Sequence, residues 1–225
     1  MTIIINRQTD ALIIVDAMRA FCAGGGLPVP NGEDIMPGIA AIADKFDKIV
    51  VVKDWHPAKH QSFASTHNVA PFSTIQASYG DQTAWPDHAI AGTRDAELMP
   101  EIEALMPRVN AVIHKGMNPK IDSYSGFYEN DRTTPTGLEG YLHAIGVERI
   151  FVAGLAYDYC VGYTAIDGSK SFESWVIYDL TRAIATPIPD QPGQTSVDTI
   201  QKAFDTNGVQ LIVSEQITAD GLPAS

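Results

Sequence analysis

The chain has 225 residues, with 15 Lys or Arg against 27 Asp or Glu and a formal charge of -12. Hydrophobic residues make up 45 % and charged residues 19 %, a globular composition that excludes disordered and fibrous classes. The acidic balance disfavours nucleic-acid backbones and anionic membranes, and no local basic cluster offsets it.

The first residues, up to Arg7, place no basic residue ahead of a short apolar run, which is not the pattern of a secretory leader. No apolar run approaches the ~18 residues of a membrane span. Cys22 and Cys160 are the only cysteines, a number expected of a reducing, cytoplasmic setting rather than a disulfide framework. The expectation is a soluble, single domain over 1–225, working as a monomer or small homo-oligomer on a small molecule.

Six short β-branched runs recur along the chain, at 11–15, 48–53, 111–114, 149–153, 175–178 and 209–213. Most are almost continuously apolar, as strands buried on both faces are. Helical spacing fills the intervals at 38–46, 98–106, 136–145, 161–172 and 196–207, with Gly146 and Gly208 placed as C-caps. The alternation predicts an α/β fold, a three-layer αβα domain around a six-stranded, mostly parallel sheet.

Two stretches break the pattern. Residues 57–93, in an insertion reaching 97, have no sustained period, and 116–135 are rich in Gly, Pro, Ser, Asn and Asp. Long irregular loops in compact domains usually serve function, and both follow strands, so both rise from the carboxyl edge of the sheet. Residues 218–225 read as a loose tail.

That same edge collects reactive side chains. Asp16, Asp54 and Lys115 end the first three runs, and Asp158 and Cys160 follow the fourth. A cysteine at a strand-to-helix turn lies where backbone N–H groups favour a thiolate and can hold a developing oxyanion. Asp16 is placed to take the thiol proton, and Lys115 to keep that carboxylate ionised and lower the cysteine's pKa. Cys22, beside Gly24, Gly25 and Gly26, reads as structural. Asp54 and His56, at i and i+2, project to one side of an extended segment, with His60 and His88 in the same loop system. Carboxylate plus imidazole suits a divalent ion, zinc, iron or manganese. His67, His114 and His143 receive no role. Phosphate-loop, dinucleotide-fold and nucleophile-elbow serine motifs are absent.

With these residues in place, the chain resembles the nicotinamidases (pyrazinamidases) of the isochorismatase-like cysteine hydrolases. The resemblance runs from Leu12 to about Val213. It is carried by Ile14-Val-Asp16 with Phe21-Cys-Ala-Gly-Gly25, by Lys53-Asp-Trp-His-Pro57 with His60, and by Trp85-Pro-Asp-His88 with Gly92-Thr93. His114-Lys-Gly116 with Tyr124-Ser-Gly-Phe127 and the run from Val152 to Val161 complete it. The resemblance implies a catalytic triad of Asp16, Lys115 and Cys160, and metal ligands Asp54, His56 and His88, with His60 beside them or as an alternative ligand. It implies one divalent metal, zinc before iron or manganese. It also implies an oxyanion site at the N–H groups of Ala156 and Cys160, a cis peptide at Leu155–Ala156, and a substrate pocket formed by Phe21, Trp85, Leu155, Ala156 and Tyr157. The activity implied is hydrolysis of nicotinamide, and of pyrazinamide, through a cysteine thioester, within pyridine-nucleotide salvage. An amidase acting on another small amide, or a binding module without catalysis, are the alternatives. The chain departs from the family pattern at Met18, Arg19, Ala20, Ala89 and Tyr157, positions that bear on substrate fit and on polar support for Asp16.

Overall fold

The computed structural model describes residues 2–188 and 191–219. The six expected runs become β2 (Asp10–Val15), β3 (Lys48–Asp54), β6 (Ala111–Lys115), β7 (Arg149–Leu155), β8 (Glu173–Arg182) and β9 (Gln210–Ile212). They form one sheet in the order β6-β3-β2-β7-β8-β9, with every neighbouring pair parallel. Side-chain alternation explains the continuous apolar runs. Leu12 and Ile14 of β2 enter one core layer, while Ala11, Ile13 and Val15 enter the other. Helix α1 (Met36–Ile42) covers the first face through Met36 and Ile39, joined by Ile102 of the short α3 (Pro100–Glu103). Helices α4 (Leu138–Ala144), α5 (Gly162–Gly168) and α6 (Ser196–Asn207) cover the second through Leu142, Ala165, Ile200 and Phe204. Among the described residues, no helix is long and apolar enough to cross a membrane.

Helix α6 spans its expected bounds because both ends are specified. Thr195 and Asp198 form a capping box, and Gly208 closes the helix at φ +70°. The helix expected over 98–106 is reduced to Pro100–Glu103 and a tight turn at Met106–Arg108. Pro107 lacks an N–H and disfavours helical geometry in the residue before it, so the apolar spacing cannot be realised as one helix.

The insertion after β3 is not structureless. It carries the turn of helix α2 (Ala64–His67) and an antiparallel hairpin of β4 (Thr74–Ala77) and β5 (Gly80–Thr83). Backbone bonds tie it down, with Trp85 N–H donating to Ser62 and His56 N–H to Ala89. The tail expected from residue 218 is paired at its start. β10 (Ile217–Ala219) lies parallel to β1 (Ile3–Ile5), with Ile5 and Ile217 fully buried. Residues 220–225 lie outside the described residues.

Candidate active site

Asp16 follows β2, and its backbone turns sharply at φ +47°. Its Oδ1 accepts the Asp54 N–H at 2.9 Å, and its Oδ2 lies 2.9 Å from Lys115 Nζ. Parallel register puts Asp54 opposite Lys115, so three adjacent strand ends deliver two carboxylates and one ammonium to a single point. Lys115 Nζ donates to Asp54 Oδ1 at 2.5 Å, to the Ser123 carbonyl at 3.2 Å and to Cys160 Sγ at 3.4 Å. Glycine is required beside this point. A Cβ on Gly154, at φ +121°, would sit 1.9 Å from the Val15 carbonyl oxygen, so only a bare backbone lets β7 pass the end of β2.

Cys160 lies in a wide, π-type turn, Tyr157–Val161, that follows the cis peptide Leu155–Ala156. Sγ and carboxylate oxygens of Asp16 and Asp54 lie within 4.8 Å of one another. The expectation of a lowered cysteine pKa is not met. Burial pushes the thiol well above its usual range, and the Lys115 charge pulls against that without prevailing. Burial, followed by repulsion from Asp54, likewise moves Asp16 up to about 6 despite the opposing Lys115. Burial works to lower Lys115, but the carboxylates of Asp16 and Asp54 hold it well above its ordinary value. The resting arrangement is therefore a neutral thiol beside a carboxylate, with a permanent ammonium between them.

Next to this group, Asp54 Oδ2 lies 3.6 Å from both His56 Nε2 and His88 Nε2. His56 Nδ1 pairs with the Gly116 carbonyl at 3.0 Å, and His88 Nδ1 with the Pro86 carbonyl at 2.7 Å. A carbonyl can only accept, so in each ring Nδ1 donates and Nε2 is the nitrogen that faces Asp54. Two imidazoles and one carboxylate, converging and buried, fit a divalent metal ion, and the backbone bonds to the far nitrogens are the usual orienting shell. Gly116, at φ +67°, lets the chain approach the His56 ring, since a Cβ there would fall 2.3 Å from Cε1.

His60 is engaged differently. Its Nε2 pairs with the Asn118 carbonyl and its Nδ1 with Ser62, each at 2.8 Å, so both nitrogens have protein partners. It packs on His56 with ring centroids 4.5 Å apart, and with Asp122 forms a further group of potential ligand atoms around His56. Burial and the neighbouring His56 push its pKa down.

The cavity beside Cys160 is walled by Phe21, Trp85, Tyr124, Tyr159, Ala156 and Ile184. Phe21 meets His88 edge-on at 5.4 Å, and Trp85 meets Tyr159 at 4.9 Å. Two expected lining residues are absent from it. The Leu155 side chain joins the core layer beneath the sheet, and Tyr157 packs edge-on against Tyr178 and Phe204 in the opposite layer, because the wide turn rotates successive side chains away from Cys160. The other departures also stand clear of the wall. Met18, Ala20 and Ala89 are fully buried in the core, and Arg19 pairs with Glu97 at 3.2 Å.

Tyr124, Tyr159 and Ile184 had not been assigned to the wall. Tyr124 lies in one of the matching motifs and its hydroxyl accepts from Trp85 Nε1 at 3.1 Å, so motif membership was a usable signal there. Ile184 had none, because it is held by Asp158. That carboxylate accepts from the Ile184 N–H at 3.0 Å, the Ala185 N–H at 2.8 Å and Ser196 Oγ at 2.5 Å, strapping the segment after β8 across the nucleophile turn. Asp158→Ala would leave those donors without acceptors and is expected to lower unfolding stability by about 2 kcal/mol. Urea denaturation checks this; a change below about 0.5 kcal/mol is what an ordinary surface position gives.

The isochorismatase domain family model matches residues 10–206. The nicotinamidase of Acinetobacter baylyi is 44 % identical over 92 % of this chain and 94 % of its own length. A protein from L. infantum, solved in complex with nicotinate, is 35 % identical with a TM-score of 0.81, covering 98 % of this chain and 100 % of that one. The pyrazinamidase of Pyrococcus horikoshii, solved in complex with zinc, is 30 % identical with a TM-score of 0.69, covering 91 % and 98 %. The chain belongs to the isochorismatase family. Within it, its relatives at this level of identity are nicotinamidases and pyrazinamidases.

Proposed function

We propose that this protein hydrolyses nicotinamide to nicotinate and ammonia, and accepts pyrazinamide, with Cys160 as nucleophile, Asp16 as proton carrier and Lys115 as the fixed charge between them. The observation that supports this most is Lys115 Nζ reaching Asp16, Asp54 and Cys160 at once, behind a cavity lined by Asp54, His56, His88 and Cys160. The aromatic walls, Phe21 and Trp85 among them, suit a flat heteroaromatic ring.

Asp16 Oδ2 has no hydrogen-bond partner among the described residues apart from its 2.9 Å ion pair with Lys115, and so can receive a proton. It takes the Cys160 proton as the sulfur bonds to the carboxamide carbon. The N–H groups of Ala156 and Cys160 hold the oxygen that gains charge; a donor of this kind is worth roughly 10²–10³ in rate. The carbon–nitrogen bond then breaks, Asp16 passes its proton to the leaving nitrogen, and ammonia departs from a thioester. Asp16 next removes a proton from an incoming water as its oxygen bonds to the thioester carbon. The carbon–sulfur bond breaks, the carboxylic acid leaves, and the proton returns to sulfur. A divalent ion on Asp54, His56 and His88, zinc by the nature of the donors, would supply a Lewis-acid anchor for the ring nitrogen. A reducing compartment such as the cytoplasm suits this reading, since the mechanism needs a reduced thiol.

The test is ammonia release from nicotinamide by purified protein, before and after chelation and zinc repletion. Release that vanishes on chelation and returns with zinc is expected. Metal-replete protein that releases ammonia from other small amides but not from nicotinamide would overturn the substrate assignment.

A further inference from the structure

Asp95 lies outside the catalytic cavity, on the tight turn Arg94–Ala96, yet its carboxylate spans two segments of the site. Oδ2 accepts the Ala89 N–H at 2.7 Å, and Oδ1 accepts the Gly26 N–H at 3.0 Å. Ala89 directly follows His88, is fully buried, and holds a left-handed backbone at φ +47°. For a non-glycine residue that conformation costs of order 1–3 kcal/mol and persists only where the surroundings over-determine it. The surroundings do so from both sides: Asp95 takes the N–H of Ala89, and the His56 N–H donates to its carbonyl at 3.1 Å. The strained residue is thus clamped between the Asp95 carboxylate and the His56 backbone N–H while setting the direction of the His88 imidazole.

Gly26 supplies the other half of the clamp. A Cβ there would lie 2.5 Å from the Asp87 carbonyl oxygen and 3.0 Å from His88 Cα, so the glycine loop rests directly on the His88 backbone. Asp95 holds these two backbones together with charge-assisted bonds, the stronger kind. We propose that Asp95 is a positioning residue for the metal centre, fixing the strained His88–Ala89 turn against the Gly26 loop so that His88 Nε2 faces Asp54 Oδ2. The inference rests on the reading of Asp54, His56 and His88 as metal ligands. It gives a role to Gly26, the last residue of a triple-glycine stretch that fits no phosphate-binding motif.

The experiment titrates zinc into metal-free parent, Asp95→Asn, Asp95→Ala and His88→Ala proteins against a competing chromogenic chelator, with folding checked by circular dichroism. Asp179→Ala serves as a control, because Asp179 makes a similar clamp, on Ser214 N–H at 2.8 Å and Oγ at 2.5 Å, remote from the ligands. Loss of an outer partner of a metal ligand typically weakens affinity 10–100-fold, so about 10-fold is expected for Asp95→Asn and up to about 100-fold for Asp95→Ala. The control should bind as the parent does, and saturating zinc should restore most turnover to Asp95→Asn. A merely structural carboxylate would lower thermal stability and leave zinc affinity alone. Asp95 variants that bind within twofold of the parent, while His88→Ala fails to bind, overturn this inference only; a parent that binds no zinc overturns the ligand reading as well. Should Asp95→Ala not fold, the isosteric Asp95→Asn carries the test.

Discussion

Cys160→Ala is expected to lower nicotinamide turnover by roughly 10⁵–10⁶-fold, the scale of losing a nucleophile that works as part of a unit, while zinc binding stays at the parental level. The separation follows from the geometry. Among the described residues, Cys160 Sγ accepts from Lys115 Nζ at 3.4 Å and makes no hydrogen bond to His56 or His88, whose rings are oriented by the carbonyls of Gly116 and Pro86. Removing the sulfur leaves those bonds untouched. A simple loss of packing does not account for the expected effect, because deleting one small buried atom costs stability of order 1 kcal/mol and no fixed step of the reaction. Steady-state ammonia release and a zinc titration on the same preparation check the two halves. Turnover within tenfold of the parent would remove Cys160 from the role of nucleophile.

The resting protonation state sharpens that expectation. Burial pushes the thiol up and Asp16 up to about 6, which works against a stored thiolate. The nucleophile has to be made when substrate is in place, so slow reaction with an alkylating reagent is compatible with fast turnover. A cysteine at a strand-to-helix turn looks activated in a sequence, since position along the chain is visible there and burial is not. The complete burial of Asp16, Lys115 and their neighbours reverses the expected direction without moving any residue out of place.

Other differences between sequence and structure have the same origin. The six-stranded sheet was legible because a strand buried on both faces must be apolar throughout, and 11–15 and 149–153 satisfy that with few interruptions. Asp16, Asp54 and Lys115 were legible because each is a charged residue at the end of such a run. The hairpin of β4 and β5 was not, since its residues are mostly solvent-facing and polar, and nothing in their order demands pairing. Tyr157 was expected in the cavity from the family resemblance, but a wide turn of five residues decides which side chains share a direction with Cys160. Ile184 reaches the cavity only because Asp158 pins its backbone from more than twenty residues away, a long-range bond that no local pattern encodes.

Metal removal should have an effect nearly as large as loss of the nucleophile, by a different route. His56→Ala is expected to abolish stoichiometric zinc binding and to reduce turnover at least 10³-fold, a loss that excess zinc does not repair. His56 occupies the middle of the arrangement. Its Nε2 lies 3.6 Å from Asp54 Oδ2, its ring centroid is 5.0 Å from that of His88 and 4.5 Å from that of His60, and its N–H holds the carbonyl of Ala89. Losing the imidazole removes one donor of three while the backbone N–H at this position still holds the Ala89 carbonyl, so the remaining ligands keep their aim but are too few. Asp54 keeps its bond from Lys115 in this variant, and Cys160 keeps its own, so the thiol should still react with an alkylating reagent at the parental rate. That contrast distinguishes loss of a metal centre from collapse of the site. Zinc stoichiometry, ammonia release and alkylation rate measured on one sample decide it, and retained one-to-one zinc binding in His56→Ala would place the metal, if any, on other residues.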